Sequence, residues 1–429
     1  MIAATYAKFL SVKEEFLGLS AKEKLFILYA MICGFLICAE YGIIRPVSNS
    51  LFIHAYSTEW MPYAWLAAVP VNLLAVALYN RFLAKWGCIK MFVVIASLVL
   101  FGHVFCALFF QKIFALAFIF YIWKEIYILL MLQQLWSVIH TTIKMNHAKY
   151  LYGIIFGVGG IGSLCGSLIP SFCAQTLGSE ALLYFSLPLY VLLILFYRHL
   201  IKNSEALNLK EELCISKSAP LMHGMKLIAG SKFLLFILCL VAFMQISSSL
   251  IDFQFNYYLE ELIPDKDLRT QYFGRILSMV HFATIAMQFL GSFLLLQFLG
   301  LNKTHLLIPL TFIFFCMGTL VFPTAALISL SFIAVKSFDF SLFGVVKEIL
   351  YVPLKTDEKF RAKAIIDIFA YRTSKSLAAF FIVVVQVFSL SNIVSILTWM
   401  NLLIFACWIF LITIMFKNQE LRLISQKSG

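Results

Sequence analysis

The sequence predicts an all-α membrane protein of twelve transmembrane helices, arranged as two bundles of six with both termini in the cytoplasm. Three observations lead there. Of the 429 residues, 62% are hydrophobic and 13% charged, and mean hydropathy is +0.94; soluble domains run near 45–50% apolar and about 25% charged. The apolar residues gather into runs long enough to cross a hydrocarbon core of about 30 Å, which takes roughly 20 residues of helix. Lysine and arginine then alternate between the runs as the positive-inside rule requires. A soluble chain of this composition would expose Phe, Leu and Ile over most of its surface and aggregate. The composition therefore excludes a secreted enzyme, a nucleic-acid binder and a disordered scaffold. The lipid bilayer is the expected solvent.

The runs lie at about 25–45, 61–84, 91–110, 113–138, 150–172, 181–200, 233–257, 272–298, 305–323, 325–350, 364–388 and 393–416. The first is no signal peptide, because it carries Glu40 and Arg45 and lacks a small-residue cleavage site. The ninth and tenth form a nearly continuous apolar stretch, which Pro323 of Phe322-Pro323-Thr324 divides. With the N-terminus inside, 23 of the 33 Lys and Arg fall in cytoplasmic segments, three outside (Lys112, Lys266, Arg269) and seven within helices or at their edges. A wrong span count would scramble that alternation.

The longest inside segment, 201–232, follows the sixth helix. It separates a first bundle, 25–200, from a second, 233–416, with short cytoplasmic ends at 1–24 and 417–429. Six plus six helices with a long middle loop is the layout of the major facilitator fold, whose halves enclose a site near the bilayer midplane. That layout alone does not establish transport. Without a targeting extension before the first helix, the expected location is a bacterial cytoplasmic membrane, and a monomer is expected.

Ionisable residues inside spans are expensive and so are functional candidates. They are Glu40 and Arg45 in helix 1, Lys124 and Glu125 in helix 4, Asp252 in helix 7 and Arg275 in helix 8. Helix 10 holds Lys336, Asp339, Lys347 and Glu348, and helix 11 holds Asp367, Arg372 and Lys375. At about 100° per residue, Lys336 and Lys347 share a helix face roughly 16 Å apart along the axis. Asp339, one turn from Lys336, can pair with it. Four cations on helices 10 and 11 suit a phosphate or carboxylate anion. The plainer reading is that Lys347 and Glu348 snorkel at the cytoplasmic end of helix 10 and that the remaining pairs lock helices together. Adjacent Lys124 and Glu125 point about 100° apart and are expected to pair with other helices.

Other patterns resolve more simply. Helix 5 carries Gly153, Gly157, Gly159, Gly160, Gly162 and Gly166. This is small-xxx-small packing, which brings two helix backbones close; it follows no strand and is no phosphate-binding loop. The ten cysteines lie almost entirely in apolar runs with no CxxC pair, as small buried hydrophobes. The histidines show no metal spacing, and no catalytic motif is present. No metal, cofactor or catalytic residue is expected. The net charge of +12 comes with no basic cluster of the kind nucleic acid requires.

Three stretches together resemble the nucleotide transporters of intracellular bacteria and plastids, the ATP/ADP translocases, and their bacterial relatives. They are Ile44-Arg45-Pro46 running into Val47-Ser48-Asn49-Ser50-Leu51; Ile143-Lys144 through Ala148-Lys149 to Tyr152-Gly153 and Phe156-Gly157; and SLFGVVKEILYVPLKTDEKFRAKAIIDIFAYRTSKS, residues 341–376. The last is similar to the family's SLF-x-x-x-KE-x-x-Y-x-PL block in order and spacing. The resemblance implies a carrier that exchanges external ATP for internal ADP, with Arg45, Lys347, Glu348, Arg372 and Lys375 engaging the phosphates. The chain departs from the family where Pro46-Val47-Ser48 replaces an acid and a lysine, where Gly344 follows SLF, and where His140 replaces an asparagine.

The reading is thus a secondary transporter of nucleotides or a related phosphorylated anion, working by alternating access. Arg45, Lys124, Lys336, Lys347, Arg372 and Lys375 are its candidate substrate contacts. Glu40, Glu125, Asp252, Asp339, Glu348 and Asp367 are its candidate coupling or gating groups. One alternative is a proton-coupled facilitator of another solute, with Glu40, Glu125 or Asp252 carrying protons. Another is a membrane sensor that binds without transporting.

Overall fold

The computed structural model describes residues 19–143, 145–204, 228–351, 366, 371–388 and 392–417, and among these helix is the only regular secondary structure. In chain order the helices are α1 (Ala21–Tyr56), α2 (Thr58–Leu83), α3 (Lys85–Phe109), α4 (Ala115–Thr142), α5 (Met145–Leu177) and α6 (Ala181–Lys202). They continue as α7 (Lys232–Leu262), α8 (Lys266–Ala286), α9 (Ser292–Val321), α10 (Ala325–Tyr351), α11 (Tyr371–Phe388) and α12 (Ile393–Lys417). Ten of these, all but α8 and α11, are long and apolar enough to cross a membrane. The predicted eighth run begins in a helix loaded with Lys266, Asp267, Arg269 and Arg275, which lowers its hydropathy. In α11 the apolar stretch is the short Thr373–Phe388.

Local sequence sets the ends. Ser20 and Glu23 form a reciprocal capping box: Ser20 N donates to Glu23 Oε2 at 2.9 Å and Glu23 N to Ser20 Oγ at 3.2 Å. That box starts α1 four residues before its apolar run. Pro323 cannot continue α9, and Thr324 then caps α10 by accepting from Leu327 N at 3.4 Å.

The described residues form two compact units. The first takes α1 as far as Phe52, the chain from Pro70 through α6, and Lys266–Ser278 of α8. The second takes Ile53–Val69, α7, and the chain from Met279 onward. In the first unit the glycine face of α5 lies against α1. A Cβ on Gly162 or Gly166 would strike the carbonyl oxygens of Phe35 and Ala39, and one on Gly42 would lie 2.7 Å from Ser163 O. Backbone contact is thus the reason for the run. In the second unit α7 packs on α11, where Ser374 and Ala378 are buried. These two follow Gly162 and Gly166 by 212 residues each.

That offset recurs. Gly87 (φ 73, ψ 171) and Gly300 (φ 72, ψ 171) occupy the same left-handed corner, each three residues before a lysine, Lys90 and Lys303. Only glycine adopts such a corner without strain. Glu40 and Asp252, and likewise Lys124 and Lys336, are again 212 residues apart. The chain is an internal repeat whose positions match even where its residues do not.

Candidate functional site

The matched lysines are the most deeply buried cations in the described chain. Lys124, on α4, is 1% exposed. Its ammonium donates to Asn49 Oδ1 of α1 and stands 3.9 Å from the centroid of the Tyr121 ring. Lys336, on α10, is 7% exposed. It pairs with Asp252 Oδ2 of α7 at 3.1 Å, donates to Ser248 Oγ at 3.0 Å, and stands 5.7 Å from the Phe332 ring. A buried ammonium persists only with partners of this kind. One is held by a neutral amide oxygen and an aromatic face, the other by a carboxylate and a hydroxyl.

Asp339 does not supply Lys336 with its acid. Its Oδ1 accepts from Gln245 Nε2 of α7 at 2.9 Å, and Lys336 is bridged across helices to Asp252. The reason is local: Asp339–Phe343 is a π turn, so the regular one-turn geometry behind the expected pair ends there. An i→i+5 turn inserts one extra residue, about 100° of rotation. The same turn carries Lys347 away from the face of Lys336, so the shared face expected for the two does not form. Phe340 O, within the turn, accepts from Gln288 Nε2 at 3.0 Å.

The other candidates are scattered. Arg45, Glu125 and Lys347 are half-buried, and Glu348 is exposed. Lys375 is half-buried with its ammonium 5.2 Å from the Trp65 ring. Arg372 is the second residue of α11, with its side chain outside the described part, and Asp367 lies outside the described residues. Among the described residues no group of His, Cys, Asp and Glu could hold a metal ion.

Glu40 belongs to a separate cluster. It is 1% exposed, its Oε1 accepts from Tyr127 Oη at 3.0 Å, and His103 Nδ1 of α3 is 3.6 Å away. His103 Nδ1 also bonds Ser186 Oγ of α6 at 2.9 Å. Asn49, Ser248, Gln245 and His103 were absent from the sequence-level candidates. Ser48-Asn49-Ser50 and Ser247-Ser248-Ser249, short polar strings in apolar helices, were the signal for the first two.

Comparisons with known proteins now bear on this arrangement. A family model described as TLC ATP/ADP transporter matches residues 111–419. ADP,ATP carrier protein 3 of Rickettsia bellii (strain RML369-C) is 23% identical over 458 aligned residues, covering 87% of this chain and 89% of that one. Among solved structures, a mutant of the nucleoside transporter NupG superposes with a TM-score of 0.68 at 14% identity, over 91% of this chain and 100% of the other. A D-xylose-proton symporter gives 0.64 at 13% identity, over 90% and 97%. At such identities these two share the fold of facilitator-type transporters, and the family match carries the function. The chain, an all-helical multi-pass membrane protein, belongs to the TLC ATP/ADP transporter family and is a secondary transporter of nucleotides.

Proposed function

We propose that this carrier exchanges an ATP-type nucleotide for an ADP-type one across a bacterial cytoplasmic membrane by alternating access. The reading includes twelve spans, cytoplasmic termini, two six-helix halves at 25–200 and 233–416, a cytoplasmic linker at 201–232, and a monomeric carrier that returns its substrate chemically unchanged. One observation supports it above the rest: each unit buries a lysine at repeat-matched positions, Lys124 and Lys336. A buried ammonium with exchangeable partners is a phosphate contact in waiting, because a phosphate oxygen replaces a carboxylate or amide oxygen without leaving the cation unpaired. The name of the Rickettsia relative, ADP,ATP carrier protein, supports the nucleotide pair.

In this reading Lys124 and Lys336 contact phosphates, and Arg45, Lys347, Arg372 and Lys375 supply further positive charge. Asp252 holds Lys336 when no anion does, so that anion binding must displace the carboxylate. That displacement differs between the loaded and empty carrier, which an exchanger needs. Glu125, Asp339, Glu348 and Asp367 serve as gating groups.

The test is uptake of radiolabelled ATP into proteoliposomes with and without internal ADP. Uptake that appears only with ADP inside is the expected result. Folded protein that takes up no ATP in either condition overturns the reading.

A further inference from the structure

We propose that Glu40 and His103 form a proton-binding site in the first unit, and that its protonation is linked to anion binding at Lys124. The coupling to nucleotide rests on the function proposed above, while the proton site itself does not.

The geometry is that of a group built to hold one proton. Glu40 and His103 are 1% and 0% exposed. Glu40 Oε1 accepts from Tyr127 Oη, while Oε2 is buried with no hydrogen-bond partner. Ser186 Oγ donates to Leu183 O at 2.6 Å. In its 2.9 Å contact with His103 Nδ1 it therefore accepts, and Nδ1 carries the hydrogen. His103 Nε2 is then a buried nitrogen without a partner. Two adjoining titratable side chains each keep one atom unsatisfied, which a purely structural network would not retain.

The titratable groups facing Glu40 are Tyr41 from its own helix, His103 from α3, Tyr127 from α4 and Tyr190 from α6. Lys124, also on α4, directs its ammonium at Asn49 and the Tyr121 ring. The contrast with the repeat partner is instructive. Asp252 matches Glu40 in position but is already bridged to Lys336, so its charge is balanced by an ion pair. Glu40 has hydroxyls and an imidazole around it, and a proton balances it instead.

Linkage follows from the helix register. Tyr127 is three residues after Lys124, on the neighbouring turn of α4, so Lys124–Asn49 and Tyr127–Glu40 are two rungs joining α4 to α1. An ionised Glu40 adds a negative charge beside the lysine that takes the anion, and a protonated one does not. Proton and anion therefore favour each other's binding reciprocally. One proton is taken up with the anion and released with it; no other bond changes.

Two measurements test this. The first is an infrared titration of purified protein, read at the C=O stretch of a protonated carboxylic acid. The expected result is a pH-dependent band present in the wild type, absent in Glu40→Gln and shifted in His103→Asn. The absence of any such difference at every pH overturns the proposal. The second is ATP uptake into ADP-loaded proteoliposomes with an acid exterior. It should accelerate about fivefold or more in the wild type, within the usual range of coupling, while Glu40→Gln exchanges at a rate independent of the gradient. A gradient response equal to wild type in Glu40→Gln overturns the linkage. If no condition gives ATP uptake, the substrate reading fails, and the infrared titration decides the proton site by itself.

Discussion

Lys124 and Lys336 stand 212 residues apart on α4 and α10, each near the middle of its helix and each almost inaccessible, yet their surroundings differ. The ammonium of Lys124 meets Asn49 and the face of Tyr121; that of Lys336 meets Asp252 and Ser248. The repeat conserves the position of the charge and changes what balances it. A neutral amide is easily displaced by a phosphate. A carboxylate competes with one. The first unit therefore looks prepared for an anion and the second restrained until an anion arrives.

The largest expected effect comes from removing the restrained lysine. Lys336→Met strands the buried Asp252 carboxylate and should cost about 3–5 kcal/mol of stability, whereas Lys124→Met strands an amide oxygen and should cost about 1–3 kcal/mol. Adding Asp252→Asn to Lys336→Met should restore most of the stability without restoring transport. Thermal unfolding of the detergent-purified variants measures this, and equal losses for the two lysines would break the comparison.

Next is the packing that carries the two sites. Gly166→Ala drives a methyl into the Ala39 carbonyl of α1, and overpacking of this kind costs about 1–3 kcal/mol. The matched residue on α11 is already Ala378, buried, so Ala378→Gly should cost less. The yield of monodisperse protein on size exclusion reports the difference. A tolerant Gly166→Ala would mean that α1 and α5 can separate without loss of the fold.

How much of this was legible beforehand follows from what each feature depends on. The helical membrane class, the glycine face of α5 and the break at Pro323 depend on composition, spacing and one residue's chemistry, and all three are in the sequence. The partner of Lys336 depends on a π turn at Asp339–Phe343, which no 100° count foresees; that is why Asp339 looked like the mate and Asp252 proved to be. The hold of Asn49 on Lys124 spans 75 residues, and long-range side-chain choice has no local signal beyond a polar string in an apolar helix. His103 read as a lone histidine until α3 and α6 brought it to Glu40 and Ser186. The repeat itself was hidden because few of the matched residues are identical, while the backbone corners at Gly87 and Gly300 agree to within a degree.

Exchanging the partners sharpens the comparison at smaller cost. Asn49→Asp gives Lys124 the carboxylate that Lys336 has, so an incoming phosphate must compete with it. A charge-assisted hydrogen bond is worth about 1.5–3 kcal/mol, so the KM for ATP should rise about tenfold or more. Asp252→Asn makes the reverse change and should lower KM while destabilising the empty carrier. Transport kinetics in proteoliposomes read both, and an unchanged KM in Asn49→Asp would remove Lys124 from the phosphate site.

The smallest effect separates the aromatic neighbours. The Tyr121 ring is 3.9 Å from the Lys124 ammonium, close enough for a cation–π contact of about 0.5–2 kcal/mol, whereas Phe332 is 5.7 Å from Lys336, near the limit. Simple truncation would confuse that contact with packing, because Tyr121 also meets Phe52 at 4.5 Å and Phe332 meets Phe255 at 4.3 Å. A double-mutant cycle removes the packing term. Lys124→Met with Tyr121→Leu should show a coupling of about 1 kcal/mol, and Lys336→Met with Phe332→Leu should show almost none. If both cycles gave the same coupling, the ring would be general lining in each unit. The ease with which Lys124 changes partners would then rest on Asn49 alone.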